Sequence, residues 1–165
     1  MENYVKLSKV VEKLNLKNLT PDVDMTEKKV MVPDINRPAL QLTGFFEHFA
    51  YERVQLIGCV EHTFLENMEE DEKEKIYDML LSYKIPCIIF CRNLKPDDSL
   101  IEKANKANVP VFSTETPTSA FSAEIIRWLN VELAPCISIH GVLVDVYGVG
   151  AVSYTHLRAH ETRRH

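Results

Sequence analysis

The sequence predicts an α/β fold in which a mainly parallel sheet is layered between helices. Strand-like and helix-like segments alternate from residue 54 to residue 130, a pattern typical of parallel strands connected by helices. Residues 86–90 form a short continuous apolar run, as expected for a strand buried on both faces. The chain has 165 residues, of which 45% are hydrophobic and 26% charged, so it is large enough for a globular core.

The first fifty residues carry weaker signals. Four apolar side chains at helical spacing predict a helix over residues 8–14, with Ser8 as its N-cap. Residues 28–32 alternate weakly and predict a strand. Pro38 suits the first turn of a helix, where its missing N–H costs little, so we expect a helix over residues 39–49.

The next elements are clearer. Residues 54–60 predict a strand and residues 61–68 a short helix. Residues 71–83 predict a longer helix, because their apolar side chains fall at i, i+3, i+4 and i+7 and their acidic first turn suits the helix dipole. The apolar run at residues 86–90 predicts the following buried strand, and residues 109–112 a further one.

Two more helices are marked by their caps. Asp97 or Asp98 caps a helix that continues to Ala107, and Thr116 followed by Pro117 begins the last one. A boundary is expected near residues 132–135, because a proline follows the last helix. Beyond it, residues 137–146 are rich in Val and Ile and predict a new strand.

Charge and hydropathy exclude several protein classes. The formal net charge of −5 disfavours broad nucleic-acid binding. No apolar run approaches the roughly 18 residues of a membrane span, and the N-terminal residues lack a secretory signal pattern, so we expect no membrane and a cytoplasmic location. The four cysteines form no C-x-x-C pair and have no zinc-spaced histidine, which predicts buried, reduced thiols: Cys59, Cys87, Cys91 and Cys136.

A few polar residues have competing interpretations. Asn36 and Arg37 fit a small anion or partner site, but turn chemistry, with Arg37 paired to Asp34, is favoured. His48 and His62 are interpreted as ordinary surface or half-buried residues. The acidic run at residues 66–74 is interpreted as a solvated helix start.

The last fourteen residues, 152–165, show neither helical nor strand periodicity. Residues 152–162 read VSYTHLRAHET, which resembles the one-frame translation of a transposon-end DNA sequencing adapter without a mismatch. We therefore expect this tail to be non-native. The same reason disfavours metal binding by His156 and His160. It also disfavours phosphate contacts from the arginines of the tail.

Two long segments carry a family resemblance. Residues 140–150, HGVLVDVYGVG, resemble the opening of the kinase domain in HPr kinase/phosphorylases, and residues 34–46, DINRPALQLTGFF, resemble a stretch of that family's N-terminal domain. The strand at residues 54–58 and the following Val60-Glu61 also fit. The resemblance covers essentially residues 1–150.

The resemblance implies a bifunctional enzyme of sugar regulation. Such enzymes use ATP and Mg²⁺ to phosphorylate a serine of the phosphocarrier protein HPr, and remove the phosphate by phosphorolysis to give pyrophosphate. Members are typically cytoplasmic homo-hexamers. His140 matches the family's active-site histidine, whereas spacing alone would favour a strand histidine with a satisfied hydrogen bond.

The chemistry of such an enzyme requires a P-loop, G-x-x-x-x-G-K-[ST], to hold the phosphates. The sequence contains no such string, so we expect a truncated, inactive kinase with no complete ATP or metal site. Asp145 is interpreted as a solvated strand residue without a catalytic role.

We therefore expect an N-terminal α/β domain at 1–133, the start of a kinase domain, with its first strand or hairpin, at 134–151, and the tail at 152–165. The alternative is a non-catalytic α/β regulatory or assembly module. A third interpretation, a flavodoxin-like signalling domain, is supported only by the alternation of strands and helices and is the least favoured.

Overall fold

The computed structural model describes residues 3–136, 139–146 and 149–155, and from residue 143 onward it describes the backbone alone. Contacts divide the chain into two compact units, Met1–Ala134 and Pro135–His165. The elements of the first unit are β1 (Val5–Lys6), α1 (Leu7–Lys13), β2 (Lys17–Asn18), β3 (Lys29–Val30), β4 (Ile35–Asn36), β5 (Val54–Ile57), α2 (Cys59–Glu66), α3 (Glu70–Ser82), β6 (Ile88–Phe90), α4 (Asp98–Ala107), β7 (Val111–Ser113) and α5 (Thr118–Glu132).

A five-stranded sheet in the order β2-β7-β6-β5-β4 forms the centre of this unit. The four strands from β4 to β7 are parallel neighbours, and β2 is antiparallel to β7 at the edge. A separate antiparallel pair joins β1 to β3. The predicted α/β fold with a mainly parallel sheet is confirmed.

The sheet is buried on both faces, and successive residues of a strand point to opposite sides. Ile88 and Phe90 of β6 pack into one apolar cluster with side chains of α3 and α4. Ile89 lies on the other side, in a cluster with side chains of α1 and α5. The apolar run at residues 86–90 therefore indicated a doubly covered strand correctly.

Local geometry corrects two of the predicted elements. The strand predicted over residues 54–60 ends at Ile57, because Gly58 already precedes α2. The helix predicted over residues 39–49 is wrong: the segment makes only a 3₁₀ turn at Gln41–Thr43. Gly44 ends that turn with a φ of 99°, which no continuing helix adopts.

The predicted helix caps also differ. α1 begins at Leu7, and its first N–H donates to the Lys28 backbone oxygen, so no Ser8 cap is needed. Asp97 does precede α4, but its carboxylate makes no cap hydrogen bond. With Thr116 as its cap, the last helix would begin at Pro117. It begins one residue later, at Thr118, and Pro117 is its N-cap.

The Asp97 carboxylate instead joins α3 to α4. It accepts hydrogen bonds from the Tyr77 hydroxyl at 2.6 Å and from Lys73 Nζ, which lies 3.2 Å away. Lys73 is buried and also lies 3.1 Å from Glu70, so the acidic run is more than a solvated helix start. Burial alone would raise the pKa of Asp97, but the hydrogen bonds from Tyr77 and Lys73 hold it below its ordinary value.

We expect Asp97→Asn to lower the free energy of unfolding at pH 7 by about 1–2 kcal/mol, because charge-assisted hydrogen bonds to a partly exposed group are lost. The pKa of Asp97 is lower in the folded state than in the unfolded state, where it is about 3.9, so the ionised carboxylate stabilises the folded protein at pH values above about 3.9. This stabilisation is lost as the pH falls through the folded-state pKa. Urea unfolding of both proteins from pH 7 to pH 2.5 should therefore give a difference that shrinks below about pH 5.

Asp71→Asn is the control for this prediction, because Asp71 is exposed in the first turn of α3. It should change the unfolding free energy by less than about 0.5 kcal/mol. A difference between wild type and Asp97→Asn that stayed constant across the pH range would contradict the assignment.

In the second unit, β8 (His140–Val146) pairs antiparallel with β9 (Val149–Thr155). The predicted strand over residues 137–146 thus has its described part in β8, and Ile137 and Ser138 lie outside the described residues. β9 includes residues 152–155, the first four of the tail. Their backbone pairs with residues 140–143 of β8.

Candidate functional site

The carboxyl ends of the parallel strands bring several polar groups together in the first unit. This end of a parallel sheet is where α/β proteins generally bind ligands. We define the carboxyl-edge cluster by five residues that follow β4, β5, β6 and β7: Arg37, Gly58, Glu61, Cys91 and Thr118.

A bidentate ion pair crosses this cluster. Arg37 Nε donates to Glu61 Oε1 at 2.7 Å, and Nη2 donates to Oε2 at 2.9 Å. The Glu61 side chain is 3% exposed and that of Arg37 44%, so the carboxylate is buried beneath a half-exposed guanidinium. The hydrogen bonds to Glu61 raise the pKa of Arg37 above its ordinary value. A planar fork on a carboxylate is the strongest geometry for such a pair.

This pair corrects the interpretation of the 34–37 segment. Asp34 lies 3.9 Å from Arg53, not beside Arg37, because Arg37 follows the edge strand β4 and reaches across to the start of α2. The Asn36 side chain donates to Gln55 Oε1 at 2.7 Å, which ties β4 to β5. Asn36 is therefore a sheet contact.

Gly58 occupies the narrowest point of the cluster. Its N–H donates to Glu61 Oε2 at 3.2 Å. A Cβ at this position would lie 2.7 Å from Thr118 Oγ1 and 2.9 Å from Arg37 Nη2, closer than atoms in van der Waals contact. The absence of a side chain therefore allows the start of α2 to approach the start of α5.

Thr118 is the first residue of α5, and its hydroxyl is buried. No described residue forms a hydrogen bond with Thr118 Oγ1. Burial raises the pKa of the neighbouring Cys91 thiol, and the Thr118 hydroxyl and the Arg37 guanidinium oppose that rise. The cluster thus holds a buried thiol, whose pKa is raised, and a buried hydroxyl side by side.

The loop after β6 is fixed against the loop after β7. Arg92 and Asn93 both have left-handed backbones, with φ of 59° and 54°. The Arg92 N–H donates to the Thr116 oxygen at 3.1 Å, and the Asn93 N–H donates to the Thr114 oxygen at 2.8 Å. Such backbone conformations persist when neighbouring hydrogen bonds hold them, and they concentrate at functional loops.

His140, the residue expected to be catalytic, lies in the second unit. It is the first residue of β8, it is exposed, and its backbone pairs with Thr155. Its catalytic role stays a prediction. Asp145 lies on the same strand, and its side chain is outside the described part of the chain.

The other histidines and the cysteines divide between surface and core. His48 is exposed. His62 Nε2 lies 2.9 Å from the Lys95 backbone oxygen, and His62 Nδ1 lies 3.5 Å from the Glu66 carboxylate. The sequence had not indicated Glu66 as a partner of His62. The prediction of buried thiols is correct for Cys87 and Cys91 and wrong for Cys59 and Cys136, which are exposed and free.

Within the described ranges, no three His, Cys, Asp or Glu side chains are grouped as metal ligands. Among the same residues, no helix combines the length and the apolar character needed to cross a membrane.

Sequence reasoning considered Arg37 but did not identify Gly58, Glu61 or Thr118 as members of a site. One signal was available: a glycine directly after an apolar strand, followed three residues later by a glutamate, is typical of a helix start with a returning carboxylate. Nothing local indicated Thr118, because its significance depends on the neighbours that pack over it.

The amino-acid sequence of the first unit is similar to those of known proteins. The sequence model described as "HPr Serine kinase N terminus" matches residues 5–129. A protein of Lachnoclostridium phytofermentans named HPr kinase/phosphorylase is 56% identical over 146 residues, covering 88% of this chain and 47% of its own length. A namesake from Alkaliphilus metalliredigens is 38% identical over 148 residues, covering 90% of this chain and 48% of its own. The chain thus spans about half the length of these curated relatives.

A solved structure shares the fold. The crystal structure of the CBS and DRTGG domains of the regulatory region of Clostridium perfringens pyrophosphatase, complexed with the activator diadenosine tetraphosphate, aligns with a TM-score of 0.53. The alignment covers 78% of this chain and 50% of the other, at 16% identity. At this identity the similarity concerns the fold alone.

Proposed function

Because the chain belongs to the HPr kinase/phosphorylase family, we propose that it is the N-terminal part of an enzyme that phosphorylates a serine of HPr and removes that phosphate by phosphorolysis. The observation that carries the proposal is the family match over residues 5–129 together with the kinase-domain motif that follows it at residues 140–150. The strong identity to relatives named HPr kinase/phosphorylase supports it.

ATP and Mg²⁺ are proposed as cofactors of the longer enzyme and not of this polypeptide. Phosphoryl transfer requires a phosphate cradle, a lysine and a metal-binding hydroxyl, and no G-x-x-x-x-G-K-[ST] string occurs in these 165 residues. The described residues likewise form no metal-ligand cluster. The residues present do not fit the nucleotide–metal group, so we propose that this polypeptide does not turn over.

His140 is the residue of this chain that we assign to the reaction. Its imidazole changes charge near neutral pH, which suits a group that orients or neutralises phosphate oxygens. The exposed position of His140 on β8 is compatible with contact to a substrate. Partners proposed with this role are HPr and further copies of the chain in a cytoplasmic homo-hexamer, with no nucleic acid or membrane.

The first test is to sequence the source DNA across codon 151. A reading frame that continues into a P-loop supports the enzyme and assigns residues 152–165 to the sequencing adapter. A frame that encodes residues 152–165 and then stops would refute the kinase for this molecule. The better account would then be a non-catalytic α/β module with a regulatory or assembly role.

In the protein encoded by a continuing frame, we expect His140→Asn to reduce ATP-dependent phosphorylation of HPr by about a hundredfold or more, the usual contribution of a positioned acid–base group. The measurement is the initial rate of radiolabel transfer from ATP to HPr. His48→Asn is the matched control, because His48 is exposed and has a left-handed φ of 58° that asparagine tolerates. Equal rates for the His140 variant and the control would remove His140 from the active site.

A further inference from the structure

A groove of about 890 Å³ lies at the amino edge of the parallel sheet, and the proposed function gives it no role. It is lined by residues that precede β5, β6 and β7, by the ends of α3 and α4, and by β3 with its flanking residues. The volume falls within the range of about 300–1,000 Å³ that binding clefts occupy. The floor is apolar, because the buried side chains of Leu81, Ile85, Pro86 and Val109 contribute to it.

The edge of β3, and not one of its faces, borders the groove. Successive side chains of a strand point to opposite sides, so a strand face would contribute only alternate residues. The groove is instead lined by consecutive residues, Lys28 with Lys29 and Met31 with Val32. β1 pairs with the other edge of β3, and no further strand among the described residues pairs with β3. The edge at the groove is therefore unpaired.

The hydrogen-bonding groups on this free edge belong to Lys29 and Met31. The Leu7 N–H donates to the Lys28 oxygen, and Leu7 lies opposite Lys28 in the register that pairs Lys6 with Lys29. In an antiparallel pair, the backbone groups of successive residues point alternately to the two edges of the strand. The N–H and C=O groups of Lys29 and Met31 therefore point away from β1. Within the described part of the chain, no backbone group forms a hydrogen bond with them.

The two faces of β3 differ in what they contact. The Val30 side chain is 0% exposed and packs in the apolar cluster with side chains of α1 and α5. The Lys29 side chain lies on the opposite, exposed face, where its ammonium is 4.4 Å from the centre of the Tyr4 ring. Directly opposed residues of paired strands share a face. A strand added at the free edge should therefore be apolar opposite Val30 and polar opposite Lys29.

The charges along the strand favour an acidic partner. Lys28, Lys29 and Lys84 line the groove together with Glu27 and Glu52, and none of these five forms an ion pair with another described residue. The strand itself contributes the two adjacent lysines. Opposite charges on directly opposed residues stabilise paired strands. An added strand with a carboxylate opposite Lys29 is therefore favoured.

The same lysines disfavour a second copy of the chain as the occupant. Pairing of β3 with the β3 of another copy would place Lys28 and Lys29 beside the same residues of that copy, and like charges on opposed residues destabilise a pair. Lysines on edge strands are a common protection against such self-pairing. The occupant favoured by charge is an acidic strand of a different protein.

We propose that the free edge of β3 binds an extended segment of another protein, in which acidic residues alternate with apolar ones. The segment adds a third strand to the β1–β3 pair, and its backbone forms hydrogen bonds with the N–H and C=O groups of Lys29 and Met31. Its apolar side chains lie over the floor of the groove, and a carboxylate lies beside Lys29. The site is formed within the first unit and does not depend on the kinase chemistry proposed above.

The test uses the intact 165-residue chain, labelled with ¹⁵N and titrated with the blocked peptide acetyl-VEVEV-amide. We expect saturable amide shifts centred on residues 28–32, with a dissociation constant on the order of 0.1–1 mM. Methylation of both glutamate nitrogens removes the N–H groups that face β3 and should weaken binding at least about tenfold, whereas methylation of the central valine nitrogen should change it less. No saturable shift at residues 28–32 up to about 5 mM peptide would overturn the proposal.

Met31→Pro separates binding from folding. Proline removes the Met31 N–H, which points to the free edge and forms no backbone hydrogen bond within the described chain. We expect the dissociation constant for the peptide to rise at least about tenfold and the melting temperature to fall by less than about 3 °C. Met31→Gln retains the N–H and should bind within about threefold of wild type. Unchanged affinity in Met31→Pro would overturn the proposal.

Lys29→Glu tests the charge of the partner strand. The wild-type chain should bind acetyl-VEVEV-amide at least about threefold more tightly than acetyl-VKVKV-amide, and Lys29→Glu should reverse this preference. Lys75→Glu is the matched control, because Lys75 is exposed on α3, seven residues or about 10 Å along the helix from Ser82 at the groove. A preference that is unchanged in Lys29→Glu, or that reverses equally in Lys75→Glu, would overturn the acidic partner.

A dilution series without peptide tests for a second copy at the same edge. We expect the amide positions of residues 28–32 to be independent of protein concentration over the range used in the titration. Shifts of these amides that grow with protein concentration, together with a dimer mass in sedimentation, would assign the edge to self-association and overturn the proposal. Peptide shifts that saturate but lie away from residues 28–32 would also overturn it.

Discussion

Replacing Phe112 with alanine should lower the free energy of unfolding by about 3–5 kcal/mol, the usual effect of truncating a fully buried aromatic residue. Phe112 is 0% exposed on β7, which has a strand on either side, β2 and β6. Its side chain packs in the apolar cluster that α1 and α5 cover, so the variant leaves a cavity between the sheet and these helices. Urea unfolding followed by circular dichroism measures the change.

Phe64→Ala is the control for the cavity. Phe64 lies on α2 and is 44% exposed, so its truncation removes little buried apolar surface. We expect a change of less than about 1 kcal/mol. Similar losses in the two variants would mean that the doubly covered sheet is not the core of the protein.

Arg37→Gln should lower the free energy of unfolding by about 2–3 kcal/mol. The change leaves the Glu61 carboxylate, which is 3% exposed, without its bidentate partner. Breaking a fully buried ion pair usually costs about 3–5 kcal/mol, and the 44% exposure of the Arg37 side chain reduces this value through solvent screening. The measurement is urea unfolding at pH 7.

A second substitution shows whether the lost stability comes from the orphaned charge. Glu61→Gln in the Arg37→Gln background should restore about 1–2 kcal/mol, because a neutral amide is less costly to bury than a carboxylate. Arg53→Gln is the matched control, since its pair with Asp34 spans 3.9 Å and both side chains are exposed, and it should change stability by less than about 0.5 kcal/mol. A Glu61 substitution that adds to the loss would contradict a charge-based cause.

The two sets of unfolding measurements test different parts of the structure. The Phe112 variants test the packing of the sheet, and the Arg37 variants test whether the carboxyl-edge cluster is held together by its ion pair.

The sequence predicted helices correctly where the buried apolar residues recur at helical spacing. The helix predicted over residues 71–83 is present as Glu70–Ser82, and the helix ending at Ala107 is present as Asp98–Ala107. The predictions failed where a single backbone angle decides the outcome. The segment after Pro38 has apolar side chains near helical spacing, yet Gly44 adopts a positive φ and the chain turns away after one 3₁₀ turn.

The carboxyl-edge cluster was only partly predictable for a related reason. An anion site at Arg37 was one of two interpretations, and the preferred alternative, a pair with Asp34, rested on proximity in sequence. The structure pairs Arg37 with Glu61, 24 residues further along the chain. Sequence spacing does not report which of several carboxylates a long side chain reaches once strands and helices have packed.

By itself, the sequence determined the α/β class, the alternation of strands and helices after residue 54 and the family to which the chain belongs, because these depend on local apolar periodicity and on contiguous motifs. Only the tertiary structure decided the two-residue strands β1, β2 and β4, which exist because a neighbouring strand satisfies their backbone groups. It also decided that Gly58 and Thr118, far apart in the chain, meet at one buried hydroxyl. Contacts of that kind arise from the packing of whole elements, and no local pattern encodes them.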